Sequence, residues 1–236
     1  MSVGAVLAIV FGGVVVLAAG VIALIVVIRR AGKARAAMPA QAARAAVQSR
    51  GWTFAERDDS YIPVYDRQYD RKGWAEPMYA PPRATAATDV ITGTHRGRPF
   101  VAATFETVHK GQHQRERAVW VAAPAPHPML SAVRIVGPQN TVNRAIGMGG
   151  VQLGDEEFDR SFEIHCDDEA FAHAVFGPDL KALLLRDPRT FRGIALRGEY
   201  VDAFDPVSDH RDPEQLTAAL DLRCDILDRI PVWART

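Results

Sequence analysis

The chain has 236 residues, with 28 basic and 28 acidic side chains and a formal net charge of zero. Residues 1–50 hold six basic side chains and no acidic one, so residues 51–236 carry 22 basic and 28 acidic side chains, a net charge of −6. An acidic domain is a poor candidate for binding nucleic acid, because that affinity comes largely from neutralised phosphates. Two cysteines exclude a disulfide-stapled fold and a four-thiolate zinc site.

The strongest pattern is an apolar stretch at residues 3–28, in which all 26 residues are aliphatic, aromatic or glycine. As a helix it would extend about 39 Å, more than the roughly 30 Å hydrocarbon core of a bilayer. A cleaved signal peptide would need a basic leader and a shorter apolar stretch, whereas this one has no basic residue before it and ends in Arg29-Arg30. We therefore predict a transmembrane anchor over residues 1–28.

The charges beside this stretch predict its orientation. Basic residues near a membrane span prefer the cytoplasmic side. We expect a single-pass plasma-membrane protein with its N-terminus outside and its domain in the cytoplasm, a reducing compartment that suits the two unpaired cysteines. Four basic side chains are predicted to contact the membrane surface: Arg29, Arg30, Lys33 and Arg35. Small residues at Gly4, Ala8 and Gly12 leave a homo-oligomer through the span as an unsupported alternative.

The rest of the chain predicts a basic juxtamembrane segment and one domain. Residues 29–50 form the segment, with a short helix at 39–50 that starts near Pro39 and ends before Gly51. Residues 51–236 form the domain. It begins with a strand at Trp52, followed by a Tyr-rich and Pro-rich loop at 58–87, in which Pro63 argues against a helix.

Strand patterns dominate from residue 88 onward. Hairpins are predicted around Arg96-Gly97 and Lys110-Gly111. Strands are predicted at 90–95, 99–108, 117–123, 132–136, 158–166 and 191–204, with a loop at 137–150. Helices are predicted at 169–176, 179–185 and from Pro213 onward, the last with an apolar stripe of Leu216, Leu220, Cys224, Leu227 and Ile230. This order predicts an α+β fold with a mostly antiparallel sheet and C-terminal helical segments.

No residue set in the sequence predicts a catalytic, cofactor-binding or metal site. His109 and His113 flank a predicted turn, and His165 and Cys166 would point to opposite faces of one strand. Acidic residues cluster at 155–159 and 167–169 without the spacing of a calcium loop. A solvated strand edge and helix capping explain them more simply.

Five stretches match the pattern of a known family: Arg50-Gly51-Trp52-Thr53-Phe54, residues 92–100 (Thr-Gly-Thr-His-Arg-Gly-Arg-Pro-Phe), residues 158–162 with Asp167-Asp168, residues 176–180, and Arg229-Ile230-Pro231-Val232-Trp233. Together they resemble an uncharacterised family of membrane-anchored proteins from GC-rich Gram-positive bacteria. The second half is also similar to a domain of unknown function in other bacterial membrane proteins. The resemblance implies an anchored domain and no particular activity.

These observations favour a membrane-anchored, non-catalytic module that binds a protein partner or lipid headgroups, without nucleic acid or a cofactor. One alternative is an enzyme with a site under the 58–87 loop, using acidic residues with His95 or His109. The other is a structural subunit of a membrane complex.

Overall fold

The computed structural model describes the backbone of residues 40–69, 82–135 and 150–231. The predicted span at residues 3–28 and nearly all of the predicted 137–150 loop lie outside these ranges. No helix within them is long and apolar enough to cross a membrane.

The described elements alternate between helix and strand. In chain order they are α1 (Ala40–Gln48), β1 (Thr53–Arg57), a 3₁₀ turn (Asp59–Tyr61), α2 (Ile62–Tyr69), β2 (Arg83–His95), β3 (Arg98–His109), β4 (Gln112–Arg134), α3 (Glu156–Ser161), β5 (Phe162–Cys166), α4 (Glu169–Val175), α5 (Pro178–Arg186), β6 (Gly193–Ala203) and α6 (Pro213–Arg229). Every strand pair is antiparallel, which confirms the predicted α+β class.

One sheet contains all six of these strands. Its main order is β1-β2-β3-β4-β5, and β6 lies on the other edge of β4. The first half of β4 pairs with β3, from His109↔Gln112 to Phe100↔Val121. The last residues of β4 pair with β5 on that same edge, and β6 pairs with β4 from Val121 onward. β4 therefore organises the sheet.

β4 is a single strand of 23 residues where the sequence predicted two separate strands at 117–123 and 132–136. The β4–β6 register shifts between Ala122 and Leu130, a stretch that contains Pro124 and Pro128, and prolines lack the N–H that a regular ladder requires. Gly198 of β6 has a φ of 56° beside this shift. The strand bends there instead of ending.

The bend brings the two ends of β6 together. The Phe204 N–H donates to the Gly193 carbonyl at 2.9 Å, and the Arg192 N–H donates to the Phe204 carbonyl at 2.8 Å. A Cβ on Gly193 would lie 2.2 Å from the Ala132 carbonyl oxygen, so only glycine fits where β6 lies against β4. The sheet thus folds back on itself.

Two predicted hairpin turns are confirmed. Arg96 and Gly97 have φ values of 50° and 76°, and Lys110 and Gly111 have 48° and 76°. Two successive residues with positive φ define the type I′ turn, whose twist matches that of the flanking strands. The β2–β3 and β3–β4 hairpins are therefore tight, two-residue connections.

The predicted helix at 39–50 is confirmed as α1, and it ends in a Schellman motif. The Trp52 N–H donates to the Val47 carbonyl and the Gly51 N–H to the Gln48 carbonyl, with Gly51 at a φ of 74°. Ala43 and Val47 of α1 are fully buried. Their burial packs α1 into the domain.

The main core lies between one face of the sheet and helices α3 to α6. The predicted apolar stripe of α6 is confirmed, because Leu216, Leu220, Cys224, Leu227 and Ile230 are at most 2% exposed. The stripe packs in a cluster that also contains Ile91, Phe100, Leu130 and Leu196 from the sheet and Trp52 just before β1. Pro213 starts α6, as predicted, and the Asp212 carboxylate caps it.

A smaller core covers the opposite face of the sheet. Tyr65 of α2 is fully buried, and its ring lies 4.5 Å from that of Phe105 and 6.3 Å from that of Trp120. The prediction that Pro63 prevents a helix in the 58–87 loop is wrong. Pro63 occupies the first turn of α2, where its missing N–H has no intrahelical acceptor to lose.

The predicted strand at 158–166 is also wrong in its first half. Residues Glu156–Ser161 form α3, and β5 starts only at Phe162. The Asp155 carboxylate accepts the Phe158 N–H at 3.1 Å and caps the helix. The Phe158 and Phe162 rings stack at 4.9 Å, a four-residue spacing that fits a helical turn as well as a strand.

We expect Phe162→Ala to lower the free energy of unfolding by about 3–5 kcal/mol, because it removes a buried aromatic side chain and leaves a cavity. Phe162 is 1% exposed and stacks on Phe158. The matched control is His165→Ala on the exposed face of β5, which should cost under about 1 kcal/mol. Urea unfolding of both variants tests the register, and a larger loss in the His165 variant would contradict it.

Candidate functional site

The four predicted membrane-contact residues, Arg29, Arg30, Lys33 and Arg35, lie outside the described residues, and their role stays a prediction. Within the described domain, ionisable side chains concentrate in two places. One is an ion-pair network between the β2–β3 turn and α6. The other is a buried arginine on α6.

The ion-pair network joins α6 to the β2–β3 turn. Asp221, Asp225 and Asp228 follow each other at helical spacing on one side of α6. Arg96 donates to Asp225 at 2.7 Å and also to Asp228, and Arg98 donates to Asp228 at 2.7 Å. The network therefore fixes the hairpin against the C-terminal half of α6.

Arg189 extends this network from the α5–β6 connection. Its guanidinium contacts both oxygens of Asp187, at 2.9 and 2.6 Å, and Asp225 at 2.8 Å. Burial alone would raise the pKa of Asp225, but hydrogen bonds from Arg96 and Arg189 outweigh that effect and lower it. Asp225 therefore stays ionised between two arginines.

Trp52 positions the hairpin end of the network. Its indole N–H donates to the Thr94 carbonyl at 3.4 Å, and its ring meets the edges of His95 and Phe100. A Cβ on Gly93 would lie 2.5 Å from Trp52 Cδ1, so glycine is what allows the indole to lie against the strand. Two of the family-like stretches, at 50–54 and 92–100, thus pack against each other.

The network also contains a histidine–aspartate pair, the arrangement that general base catalysis uses. His95 Nε2 lies 2.8 Å from Asp221 Oδ1. The nearest thiol, Cys224, has 0% exposure, contacts the His95 carbonyl rather than its ring, and has a pKa raised by burial. A buried protonated thiol is not an activated nucleophile. The pair holds the hairpin on α6.

The residues of the predicted alternative active site do not come together. His95 ends β2, whereas His109 ends β3, which runs in the opposite direction over 12 residues. At about 3.4 Å per residue, the two histidines lie at opposite ends of the sheet. His165 is exposed beside Glu163, while Cys166 is half-buried.

The two acidic clusters serve the backbone. Asp168 caps α4 through the N–H of Phe171, as predicted, and Asp155 caps α3 through the N–H of Phe158, where the sequence had predicted a strand. Asp159 is not part of a solvated edge: it is 6% exposed and accepts the N–H groups of Leu153 and Gly154 at 3.0 Å each. In the described ranges, no group of three or more His, Cys, Asp and Glu side chains could hold a metal ion.

Arg223 is a buried, ion-paired arginine that the sequence patterns did not predict. It lies on the buried face of α6 with 1% exposure. Its guanidinium contacts both oxygens of Asp205, at 2.9 and 3.1 Å, and one oxygen of Asp202 at 2.9 Å. The signal was available, because position 223 lies between the stripe residues Leu220 and Leu227 at helical spacing.

The same guanidinium closes a gap in the sheet. The β4–β6 ladder pairs Val121 with Val201, so Val119 and Ala203 face each other two residues further along. Arg223 donates to both the Val119 and the Ala203 carbonyls. It therefore takes the place of direct hydrogen bonds between the strands.

Two grooves adjoin these ionisable groups. One has a volume of about 190 Å³ beside Arg189 and Asp205, and its walls include Pro206, Val207 and Leu222. That is smaller than the roughly 300–1,000 Å³ of typical small-molecule pockets. The other, beside Asp179 and Asp228 at the end of α6, is a shallow surface depression.

His210 fastens the start of α6 to β2. It is 1% exposed, and its Nε2–H donates to the Asp89 carbonyl at 2.7 Å. Its Nδ1 is buried without a hydrogen-bond partner among the described residues. Burial lowers the pKa of His210. The side chain is therefore held in its neutral form.

Fold and site together define the class: an antiparallel α+β domain whose ionisable groups link its C-terminal helix to the sheet. No protein-family model and no curated protein sequence matches the chain. The domain is similar in structure to the mycobacterial trehalose monomycolate transport factor A, TtfA, with a TM-score of 0.51 over 82% of this chain and 94% of that chain. The two sequences are 10% identical, so the similarity shows the fold alone.

We expect Arg223→Met to lower the free energy of unfolding by about 3–5 kcal/mol, because two carboxylates then stay buried without their partner. Adding Asp202→Asn and Asp205→Asn should recover part of that loss by removing the unpaired charges. Arg229→Met, a half-buried arginine on the same helix, is the control and should cost under about 1 kcal/mol. Equal losses for Arg223 and Arg229 would contradict a structural role for the buried ion pair.

The buried neutral His210 predicts a loss of stability on mild acidification. Below a pH of about 6.5 the unfolded chain binds a proton that the folded state excludes, so the free energy of unfolding falls by up to about 1.4 kcal/mol per pH unit until the lower folded-state pKa is reached. His210→Gln, which keeps an N–H donor for Asp89, should reduce this slope. His127, whose pKa is also lowered by burial, should account for a remaining part. Chemical unfolding at pH 7.5 and 5.5 checks the difference, and identical slopes would contradict it.

Proposed function

We propose that the chain is a membrane-anchored binding protein without catalytic activity, whose domain lies on the cytoplasmic side of the plasma membrane. The observation that carries the proposal is the 26-residue apolar stretch at 3–28, followed by basic residues and no acidic residue up to position 50. A stretch of that length and composition is typical of a transmembrane helix, and the basic flank favours the cytoplasm.

The chemistry of the described domain supports binding over catalysis. His95, Cys224 and Arg223 are the side chains best suited to react or to stabilise charge, and each is engaged in contacts that join α6 to the sheet. A catalytic group must instead face a space that admits substrate. We therefore assign these residues to the scaffold that presents a binding surface.

The structural neighbour supports a narrower second candidate. TtfA is a trehalose monomycolate transport factor, and 94% of its chain is covered by the similarity. A role of this chain in trehalose monomycolate transport is therefore worth a direct test. Altered amounts of trehalose monomycolate in cells depleted of this protein would favour it, and unchanged amounts would remove it.

Each of the two alternative functions predicts its own experimental result. An enzyme with a site under the 58–87 loop would show turnover that changes with His95 or His109. A structural subunit of a membrane complex would be recovered at fixed stoichiometry with integral membrane partners.

Topology tests the membrane part of the proposal. Green fluorescent protein fused after Thr236 should fluoresce, and alkaline phosphatase fused there should be inactive, because the C-terminus is expected in the cytoplasm. Replacing Arg29, Arg30, Lys33 and Arg35 with glutamine should weaken that orientation, since basic flanks set it. An active phosphatase fusion in the unaltered protein would contradict the proposed topology.

Crosslinking tests the binding part. The full-length protein should be crosslinked in its own membranes, purified, and its partners identified. We expect defined partners whose recovery survives His95→Ala, because this histidine is assigned a packing role. Recovery of no partner above the level of an unrelated single-pass protein would overturn the binding proposal.

A further inference from the structure

The β3–β4 hairpin ends in an arm whose tip is exposed. We define the β3–β4 arm as residues 106–117, with Lys110-Gly111 at its tip. Residues 112–115 and Arg117 are exposed, whereas Ala118, Val119 and Trp120 immediately after them are buried. On the α6 face of β4, cover therefore ends at Arg117, whereas on the opposite face Tyr65 of α2 still donates to Glu116 and Thr107 is buried.

One edge of the arm is open among the described strands. β3 pairs with β4 along the whole arm on one side, but on the other side β6 begins to pair only at Val121. Residues 112–118 of β4 thus have no strand on this edge within the described ranges. An unpaired strand edge is a template on which another extended segment can add.

Three residues of the arm face that edge with their backbone. The Val119 carbonyl points to the β6 side, since it accepts from Arg223 there. Backbone groups of a strand alternate between edges with a period of two, so His113, Arg115 and Arg117 point the same way. The geometry of the turn gives the same result. A two-residue hairpin closes with a mutually hydrogen-bonded pair, here His109 and Gln112, so the backbone N–H and C=O groups of the even-numbered β4 residues point toward β3.

The same residues make the edge basic. Their side chains share one sheet face at a spacing of about 6.8 Å, twice the rise per strand residue. Arg115 is 75% exposed at the side chain and contacts Glu106 at 2.7 Å across the hairpin. Lys110 and Arg117 make no ion pair with the described residues. The three odd-numbered β4 positions of the arm, His113, Arg115 and Arg117, are histidine or arginine, and none is acidic.

We propose that the open edge of the β3–β4 arm binds an extended acidic segment of a partner protein by strand addition. This inference rests on the proposed binding function and names the surface that performs it. The partner's backbone would hydrogen-bond with His113, Arg115 and Arg117, and carboxylates at alternate positions would lie opposite their side chains. Opposite charges on neighbouring strands stabilise such pairs.

The open edge and its charge together favour this occupant over two others. A lipid surface offers negative charge but no row of backbone donors and acceptors to match a strand edge. A second copy of the arm would bring arginine against arginine, and like charges directly opposite are destabilising. An acidic extended peptide satisfies both the backbone groups and the charges.

A synthetic peptide tests the proposal on the full-length protein in a non-ionic detergent. The probe is a fluorescein-labelled ten-residue peptide of alternating glutamate and valine, and fluorescence anisotropy measures its Kd. Arg115→Gln combined with Arg117→Gln should raise the Kd about tenfold or more, since two charge contacts are lost. Arg160→Gln combined with Arg186→Gln makes the same charge change at exposed positions on other elements and should leave the Kd unchanged.

A second pair of measurements separates strand addition from simple charge attraction. His113→Pro removes an N–H that faces the open edge, and a peptide N-methylated at alternate residues loses the matching donors. Both should abolish most of the binding, while circular dichroism shows that the His113 variant stays folded. Undiminished binding in either case would overturn strand addition.

Two further outcomes also count against the arm. If the Arg115/Arg117 variant loses binding to phosphatidylglycerol vesicles but keeps its affinity for the peptide, the surface recognises lipid and the proposal fails. If crosslinking in membranes recovers the same partners at the same yield from this variant as from the unaltered protein, the arm is not the binding surface, although the binding function itself still stands. Recovery of no partner from either form would instead overturn the binding function.

Discussion

The structure depends on a buried charge that the sheet cannot do without. Arg223 lies on the apolar face of α6, and its guanidinium contacts α6, β4 and the end of β6 at once. Asp202 and Asp205 neutralise it, and the Trp120 indole N–H donates to Asp202 from the second core. A buried ion pair adds little net stability when compared with apolar packing, but removing one partner is costly. The contact therefore specifies where α6 lies more than it strengthens the fold.

Two further contacts hold α6 at its ends, and they differ in chemistry. His210 fastens the start through one neutral hydrogen bond to Asp89, whereas the ion-pair network fastens the end through several half-exposed charges. Salt screens exposed pairs more than buried ones. The C-terminal half of α6 should therefore respond to ionic strength, and its start to mild acid. α6 is therefore held by three contacts: a buried ion pair at Arg223, a neutral hydrogen bond at His210 that mild acid weakens, and an ion-pair network that salt screens.

Local sequence patterns predicted those elements whose signals are local. The α6 stripe, the two Gly-containing hairpin turns and the Asp168 cap of α4 each depend on residues within a few positions of one another. Local patterns could not predict the bend in β4 or the helix at Pro63. The bend depends on pairing with β6, and the helix depends on burial of Tyr65 against Phe105 and Trp120. Arg223 was missed for the same reason: its partners at Val119 and Asp205 are distant in sequence, although its position in the stripe was visible.

The distribution of charge separates the structural ionisable groups from the available ones. Around α6, each arginine of the network has a carboxylate partner, so this region is close to neutral and its charges are used in holding the helix. At the β3–β4 arm, Lys110 and Arg117 have no such partner among the described residues, and the side chains of Arg115 and Arg117 are exposed. Charge left unpaired beside an open strand edge costs the fold little, because water solvates both. It becomes useful only when a complementary segment replaces that water, which is why the arm, and not the richer network on α6, is the part of the domain suited to binding.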